Sequence, residues 1–364
     1  MSERPTAAIS PRDDLRALEG YHSPQLDVAV RLNTNESPFA PPPEFVDRWV
    51  EELRAAPLNR YPDRAARDLR AALGAHLDQP TERLFCANGS NEVLQTLLLT
   101  YGGPGRRAAM FEPTYALHSH IARISGTEVV AGERRADFSI DPDAARAVIE
   151  QHAPSIVFVC SPNNPTGTVE PAATIEALLA TPGDHLVVVD EAYGEFAPWS
   201  ALELVRDDRP LVVVRTYSKV WSMAALRLGF AVAPAWVVDE LEKVVLPYHL
   251  ASATQIAGRL ALDLGDEMDD RVHRLVAERE RVASELARTD GVIGFPSGAN
   301  FLLFRPVGDA HECWERMVDH GVLVRDFSRW PRLDGCLRVT IGTPEENDAF
   351  LAALRSSLQE VLVR

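Results

Sequence analysis

The amino-acid sequence predicts an α/β protein in two parts: a three-layer α/β/α large domain on a mostly parallel sheet, and a smaller α+β domain. Three observations predict it. Short apolar runs alternate with helix-patterned stretches through the first two thirds of the chain, the rhythm of strands joined by helical crossovers. After about Ser252 this rhythm gives way to a long charged helical region, Asp266 to Arg288, and then to shorter strands. A length of 364 residues, 46% hydrophobic and 25% charged, suits about two globular domains.

The Pro-rich stretch Ser37 to Pro43 ends an N-terminal arm and marks a boundary. The expected division is a large domain over 38–252 and a small domain over 1–37 and 253–364, the arm completing the latter. Within the large domain, Arg83 to Ala87, Ala108 to Phe111, Ile156 to Cys160, Leu186 to Val189 and Leu211 to Val214 read as buried parallel strands. Asn91 to Thr100, Asp141 to Gln151 and Pro171 to Ala180 read as helices, each separating two strands. In the small domain, strands are expected at Asn300 to Phe304 and Leu337 to Ile341, with a helix between them.

Composition excludes several classes of function. With 53 acidic against 37 basic residues the net charge is -16, which repels phosphate backbones and anionic lipid heads, so neither nucleic acid nor membrane is an expected partner. The first twenty residues hold no apolar stretch long enough for a signal peptide, and no later run reaches membrane-span length, which reads as cytoplasmic. Cys86, Cys160, Cys313 and Cys336 form no CxxC pair, and residues two apart on a helix, such as His118 and His120, do not share a face. No metal site is expected.

Only two lysines occur, Lys219 and Lys243, so all but two of the 37 basic residues are arginine. A guanidinium stays protonated near neutral pH, whereas an amine can lose its proton and form a Schiff base with an aldehyde. Lys243 lies on the wet side of an amphipathic helical pattern, a surface role. Lys219 follows the apolar run Leu211 to Val214, and in an open α/β sheet such a strand end is where ligands bind.

Three other strand ends also carry polar residues: Asn88-Gly89-Ser90-Asn91, Ser161-Pro-Asn-Asn164-Pro-Thr-Gly, and Asp190-Glu-Ala-Tyr193. A small-residue turn at a helix N-terminus suits a phosphate, although Gly-Ser-Asn is also a routine helix cap. Taken singly, Asp190 reads equally as a cap, Tyr193 as core, Asn164 as a turn residue and Arg227 as half of a surface ion pair. Taken together they are the parts that pyridoxal chemistry requires: an amine for the aldehyde, an acid for the pyridine nitrogen, donors for the ring hydroxyl and a cation for the phosphate. Competing motifs are missing, since the chain has no GxxxxGK[ST] and no GxSxG.

At these residues the chain resembles the fold type I aminotransferases, and among them the histidinol-phosphate aminotransferase family. The likeness extends from Leu32-Asn-Thr-Asn35-Glu-Ser-Pro through Arg60-Tyr61-Pro-Asp, Glu112-Pro-Thr-Tyr115, Leu226-Arg227-Leu-Gly-Phe, Ala299-Asn300-Phe and Val324-Arg325 to Leu337-Arg338-Val-Thr-Ile-Gly-Thr. The resemblance implies a pyridoxal 5'-phosphate enzyme of histidine biosynthesis that exchanges an amino group between a small-molecule donor and a 2-oxo acid. Lys219 would carry the cofactor, Asp190 pair with its ring nitrogen, and Tyr193 and Asn164 bond its ring oxygen. Tyr115 would stack on the ring, while Gly89, Ser90, Asn91, Thr216, Ser218 and Arg227 would surround the phosphate. Tyr61 would reach the neighbouring subunit's cofactor, which implies a homodimer with shared active sites. Tyr21, Asn35, Tyr61, Asn300, Arg325 and Arg338 would bind substrate. Aromatic aminotransferases and phosphothreonine decarboxylases share much of this pattern, and at this position an ion pair between Arg325 and Asp326 is an alternative to a phosphate site.

Overall fold

The computed structural model describes residues 9, 10, 12–16, 18, 20 and 24–362; Tyr21 lies outside this set. In chain order the regular elements are β1 (Val30–Leu32), α1 (Pro43–Ala55), α2 (Arg67–Leu77), β2 (Leu84–Asn88), α3 (Gly89–Tyr101), β3 (Arg107–Glu112), α4 (Ala116–Ile124), β4 (Glu128–Glu133), α5 (Pro142–His152), β5 (Ile156–Cys160), α6 (Ala172–Leu179), β6 (Leu186–Asp190), β7 (Leu211–Thr216) and β8 (Leu228–Val232). There follow α7 (Ala235–Val244), α8 (Ser252–Ala261), α9 (Gly265–Arg288), β9 (Val292–Gly294), β10 (Phe301–Pro306), α10 (Ala310–Asp319), β11 (Val322–Asp326), β12 (Leu337–Thr340) and α11 (Pro344–Leu362). None of the described helices is long and apolar enough to cross a membrane.

The larger sheet has the order β2-β8-β7-β6-β5-β3-β4. Strands β4, β3, β5, β6 and β7 pair in parallel, and β8 lies antiparallel to both β7 and β2. Two reversals restore the direction, so β2 runs the same way as β7. The runs IVFVC and LVVVD and the strand LVVVRT are buried at every position because helices cover both faces. Alternate residues sort between two cores. Val212 and Val214 belong with Leu94, Leu97 and Val237 on one face, whereas Leu211 and Val213 join Leu69, Ile149 and Ile175 on the other. These are the three layers expected from the sequence.

The second sheet has the order β1-β11-β12-β10-β9. The arm supplies β1, which pairs in parallel with β11, placing Val30 against Val322 and Leu32 against Val324. The register of β11 and β12 sets Arg325 directly opposite Arg338. Strands β1, β4, β8, β9 and β11 add to those expected from the sequence. In β4 burial alternates along an edge, so it presents no continuous apolar run, and β8 is a short buried strand carrying Gly229, a residue depleted in strands. Gly229 has a packing reason: a Cβ there would lie 2.2 Å from the backbone nitrogen of Ser90, so glycine lets β8 press against the start of α3.

Candidate active site

Six strands of the larger sheet end at one edge, and β8, running the other way, begins there. This is why Arg227, the residue before β8, meets the residues that follow β2, β5, β6 and β7. A cavity of about 380 Å³ opens at that edge, lined by Ser90, Asn91, Tyr115 and Asn164 on one side and Asp190, Tyr193, Thr216, Ser218, Lys219 and Arg227 on the other. The larger cavity, about 800 Å³ and walled by Phe138, Phe196, Val276 and Phe295, holds none of the expected site residues.

Lys219 sits three residues beyond β7. Its Nζ donates to the Thr34 carbonyl at 3.1 Å and lies 5.6 Å from the centre of the Tyr193 ring. Burial pulls the amine down to about 7; Arg338 and Arg227 push in the same direction, and Glu36 opposes them. A neutral amine is therefore accessible near neutral pH. Thr34 and Glu36 were not singled out in the sequence, although both belong to the Asn-Thr-Asn-Glu segment.

Asp190 ends β6 and is 1% exposed. Its carboxylate accepts from the Ala192 N–H at 3.1 Å and from His118 Nε2 at 2.9 Å. His118, on α4, is fully buried, stacks on Phe158 at 4.9 Å and meets Tyr115 edge to face. Sequence reasoning considered this histidine only as a metal ligand and missed its place behind Asp190. Its position three residues after Tyr115 on a helix was the available signal, since residues at that spacing share a face.

The Tyr193 hydroxyl accepts from Asn35 Nδ2 at 2.9 Å and from Asn164 Nδ2 at 3.4 Å. Both amides are oriented from behind: Asn35 Oδ1 accepts from Thr340 at 2.9 Å, and Asn164 Oδ1 from Arg338. Burial raises the phenol to about 12, with Arg338 and the Asn35 bond opposing, so it keeps its proton. With two amides on the oxygen, that proton is free to point elsewhere. Asn300 joins the web by donating to the Asn35 carbonyl at 3.3 Å.

Opposite these groups the N-terminus of α3, with Ser90 and Asn91, meets Thr216, Ser218 and Arg227. Thr216 donates to the Ser218 hydroxyl at 3.0 Å, and Arg227 reaches the same oxygen at 3.4 Å. Gly89 has a φ of +75°, and a Cβ there would sit 2.6 Å from the Arg227 guanidinium. Hydroxyls, helix-end N–H groups and a guanidinium facing one space form a phosphate cradle. A carboxylate, a phenol and an amine lie beyond it. This donor set fits pyridoxal phosphate, the cofactor of the aminotransferases.

Arg325 and Arg338 lie at an adjoining cleft that shares Tyr115 and Asn164 with the main cavity. They are 8% and 6% exposed, and both guanidiniums pack on the Phe327 ring, at 5.8 and 5.4 Å. Arg338 also donates to the Asn33 carbonyl at 2.9 Å. Asp326, the alternative partner for Arg325, instead accepts from the Ser328 N–H and faces His311 Nδ1, each at 2.7 Å. Tyr61 is not at this cavity in its own chain. It is 80% exposed and stacks on Tyr248 at 4.5 Å.

Comparison with known proteins agrees with this chemistry. The family model for aminotransferase class I and II matches residues 27–354. A histidinol-phosphate aminotransferase from Nocardia farcinica is 48% identical over 363 residues, covering 97% of this chain and 92% of the relative. Another from Corynebacterium efficiens is 46% identical over 353 residues, covering 94% and 93%. Among solved structures, the Sinorhizobium meliloti histidinol-phosphate aminotransferase in complex with pyridoxal-5'-phosphate superposes with a TM-score of 0.89 over 97% of this chain and 99% of its own; at 24% identity it speaks for the fold. The chain belongs to the class I and II aminotransferases, and within them to the family of the histidinol-phosphate aminotransferases.

Proposed function

We propose that the protein transfers an amino group between histidinol phosphate and 2-oxoglutarate, with pyridoxal phosphate held on Lys219. One observation carries the choice of substrate: two buried guanidiniums stand on directly opposed positions of β11 and β12. Two guanidiniums on one face can address one anion together, and a phosphate dianion answers two cations better than a single carboxylate does.

When bound, the cofactor supplies an electron sink for the bond broken at the substrate α-carbon. The protein does the rest. Ser90, Asn91, Thr216, Ser218 and Arg227 would hold the phosphate beside Gly89, and Tyr115 would stack on the ring. Asp190, backed by His118, would pair with the ring nitrogen, while Tyr193 and Asn164 would bond the ring oxygen. Lys219, poised near neutral pH, takes and returns a proton at Nζ. Asn35 and Asn300 fix the web behind Tyr193.

We further read the enzyme as a cytoplasmic homodimer with shared active sites, of domains 38–252 and 1–37 with 253–364. In support, Tyr61 is exposed on its own subunit and so available to a partner.

The deciding assay compares kcat/KM for histidinol phosphate and phenylalanine, each with 2-oxoglutarate. Histidinol phosphate is expected to be the better donor, and Arg325→Ala to reduce its kcat/KM by roughly 10- to 100-fold, the worth of a charge-assisted hydrogen bond, with a much smaller loss for phenylalanine. Equal or higher efficiency with phenylalanine transfers the assignment to aromatic transamination, and carbon dioxide release from phosphothreonine transfers it to decarboxylation.

A further inference from the structure

The arginine cleft has a third wall. Between β11 and β12, residues 327–336 fold back on themselves: the Trp330 N–H donates to the Phe327 carbonyl at 2.9 Å, the Leu333 N–H to the Trp330 carbonyl at 3.1 Å, and the Gly335 N–H to the Ser328 carbonyl at 3.0 Å. This loop sets the Phe327 ring against both guanidiniums and the Trp330 ring edge-on against Phe327, centroids 5.1 Å apart. Trp330 lines the same cleft as Arg325 and Arg338 yet is 36% exposed. Trp49, Trp236 and Trp314 each donate their indole N–H to a backbone carbonyl. The indole N–H of Trp330, like those of Trp199 and Trp221, has no acceptor among the described residues. A two-pronged ion pair from Arg332 to Glu133, at the end of β4, is the one salt bridge among the described residues that joins this loop to the larger sheet.

The cleft offers about 30 Å³, room for about two water molecules. A carboxylate presents two oxygens, which one planar guanidinium can satisfy with paired N–H groups. A phosphate ester presents three non-bridging oxygens and calls for further donors. Two guanidiniums supply some of them; of the other polar side chains on the wall, Thr114 donates to Asn163, Tyr115 to Asn91 and Asn164 to Tyr193, whereas the Trp330 indole N–H has no acceptor among the described residues. We infer that Trp330 is a specificity-determining residue for the phosphate: its indole N–H donates to the phosphate oxygen turned toward the loop, and the Arg332–Glu133 pair holds the loop at the distance this requires. The inference rests on the reading of Arg325 and Arg338 as a phosphate site and names the residue that separates phosphate from carboxylate there.

The test uses the holoenzyme and Trp330→Phe, which keeps an apolar ring against Phe327 and removes only the donor. Loss of one hydrogen bond to a charged group is expected to raise KM for histidinol phosphate about tenfold with kcat little changed, to weaken competitive inhibition by inorganic phosphate, and to lower selectivity over phenylalanine at least about fivefold. Arg332→Gln is expected to shift selectivity in the same direction by less. Equal losses for both donors, or no loss, in a Trp330→Phe protein of unchanged Tm overturn the inference. If Arg325→Ala is selective for the phosphorylated donor and Trp330→Phe is not, Trp330 is packing alone while the phosphate site stands. Should the wild-type enzyme prefer phenylalanine, both fall.

Discussion

The two lysines of this chain are chemically identical and structurally opposite. Lys243 lies in the last turn of α7, 65% exposed and paired with Glu240 at 2.5 Å, where a cation suits the helix C-terminus and arginine would serve as well. Lys219 stands at the end of the central sheet among buried groups, and with Arg338 and Arg227 nearby its amine falls to about 7. A chain that uses arginine for nearly every positive charge has kept lysine in the desolvated place where losing a proton is the point. The environment, set by strand order, makes one amine reactive and leaves the other a surface charge.

The sharpest way to break this contrast is to remove each amine. Lys219→Ala is expected to lower kcat by at least about 10⁴-fold, and Lys243→Ala to stay within about twofold of wild type; comparable losses in the two variants would sink the contrast. A smaller effect follows from the direction of the Lys219 shift. Since only the neutral amine attacks an aldehyde, the rate at which cofactor-free enzyme takes up pyridoxal phosphate should rise about tenfold from about pH 6 to about pH 8 and then level off, as a group with a pKa of about 7 titrates. A rate still climbing steeply above about pH 9 would mean that the pocket leaves the amine ordinary. The smallest change probes the cradle beside it. Gly89→Ala, which must displace Arg227 and adopt a left-handed backbone, is expected to weaken cofactor affinity by roughly fivefold to tenfold, read by equilibrium titration. Unchanged affinity would show that Arg227 does not depend on that close approach.

Much of the site was legible because strand ends are legible. Continuous β-branched runs such as Leu211 to Val214 announce buried parallel strands, and the polar residues after them fall at one edge of the sheet by topology alone. What escaped were features that depend on register or on contacts distant in sequence. That Arg325 faces Arg338 follows from the pairing of β11 with β12, which no local pattern encodes. His118 lies 72 positions from Asp190, and Arg332 lies 199 from Glu133. The reversal at β8 was also hidden, because a short strand carrying Gly229 gives little periodic signal, yet that reversal is what brings Arg227 to the cradle. The place of Tyr21 lies outside the described residues.

Strand β12 is four residues long and carries Arg338 and Thr340 two positions apart, hence on the same face. Arg338 steers the Asn164 amide and Thr340 steers that of Asn35, and both amides end on one phenolic oxygen. One short ribbon thus governs both donors to that phenol, so a substitution at either of its two positions reaches the oxygen at the centre of the site.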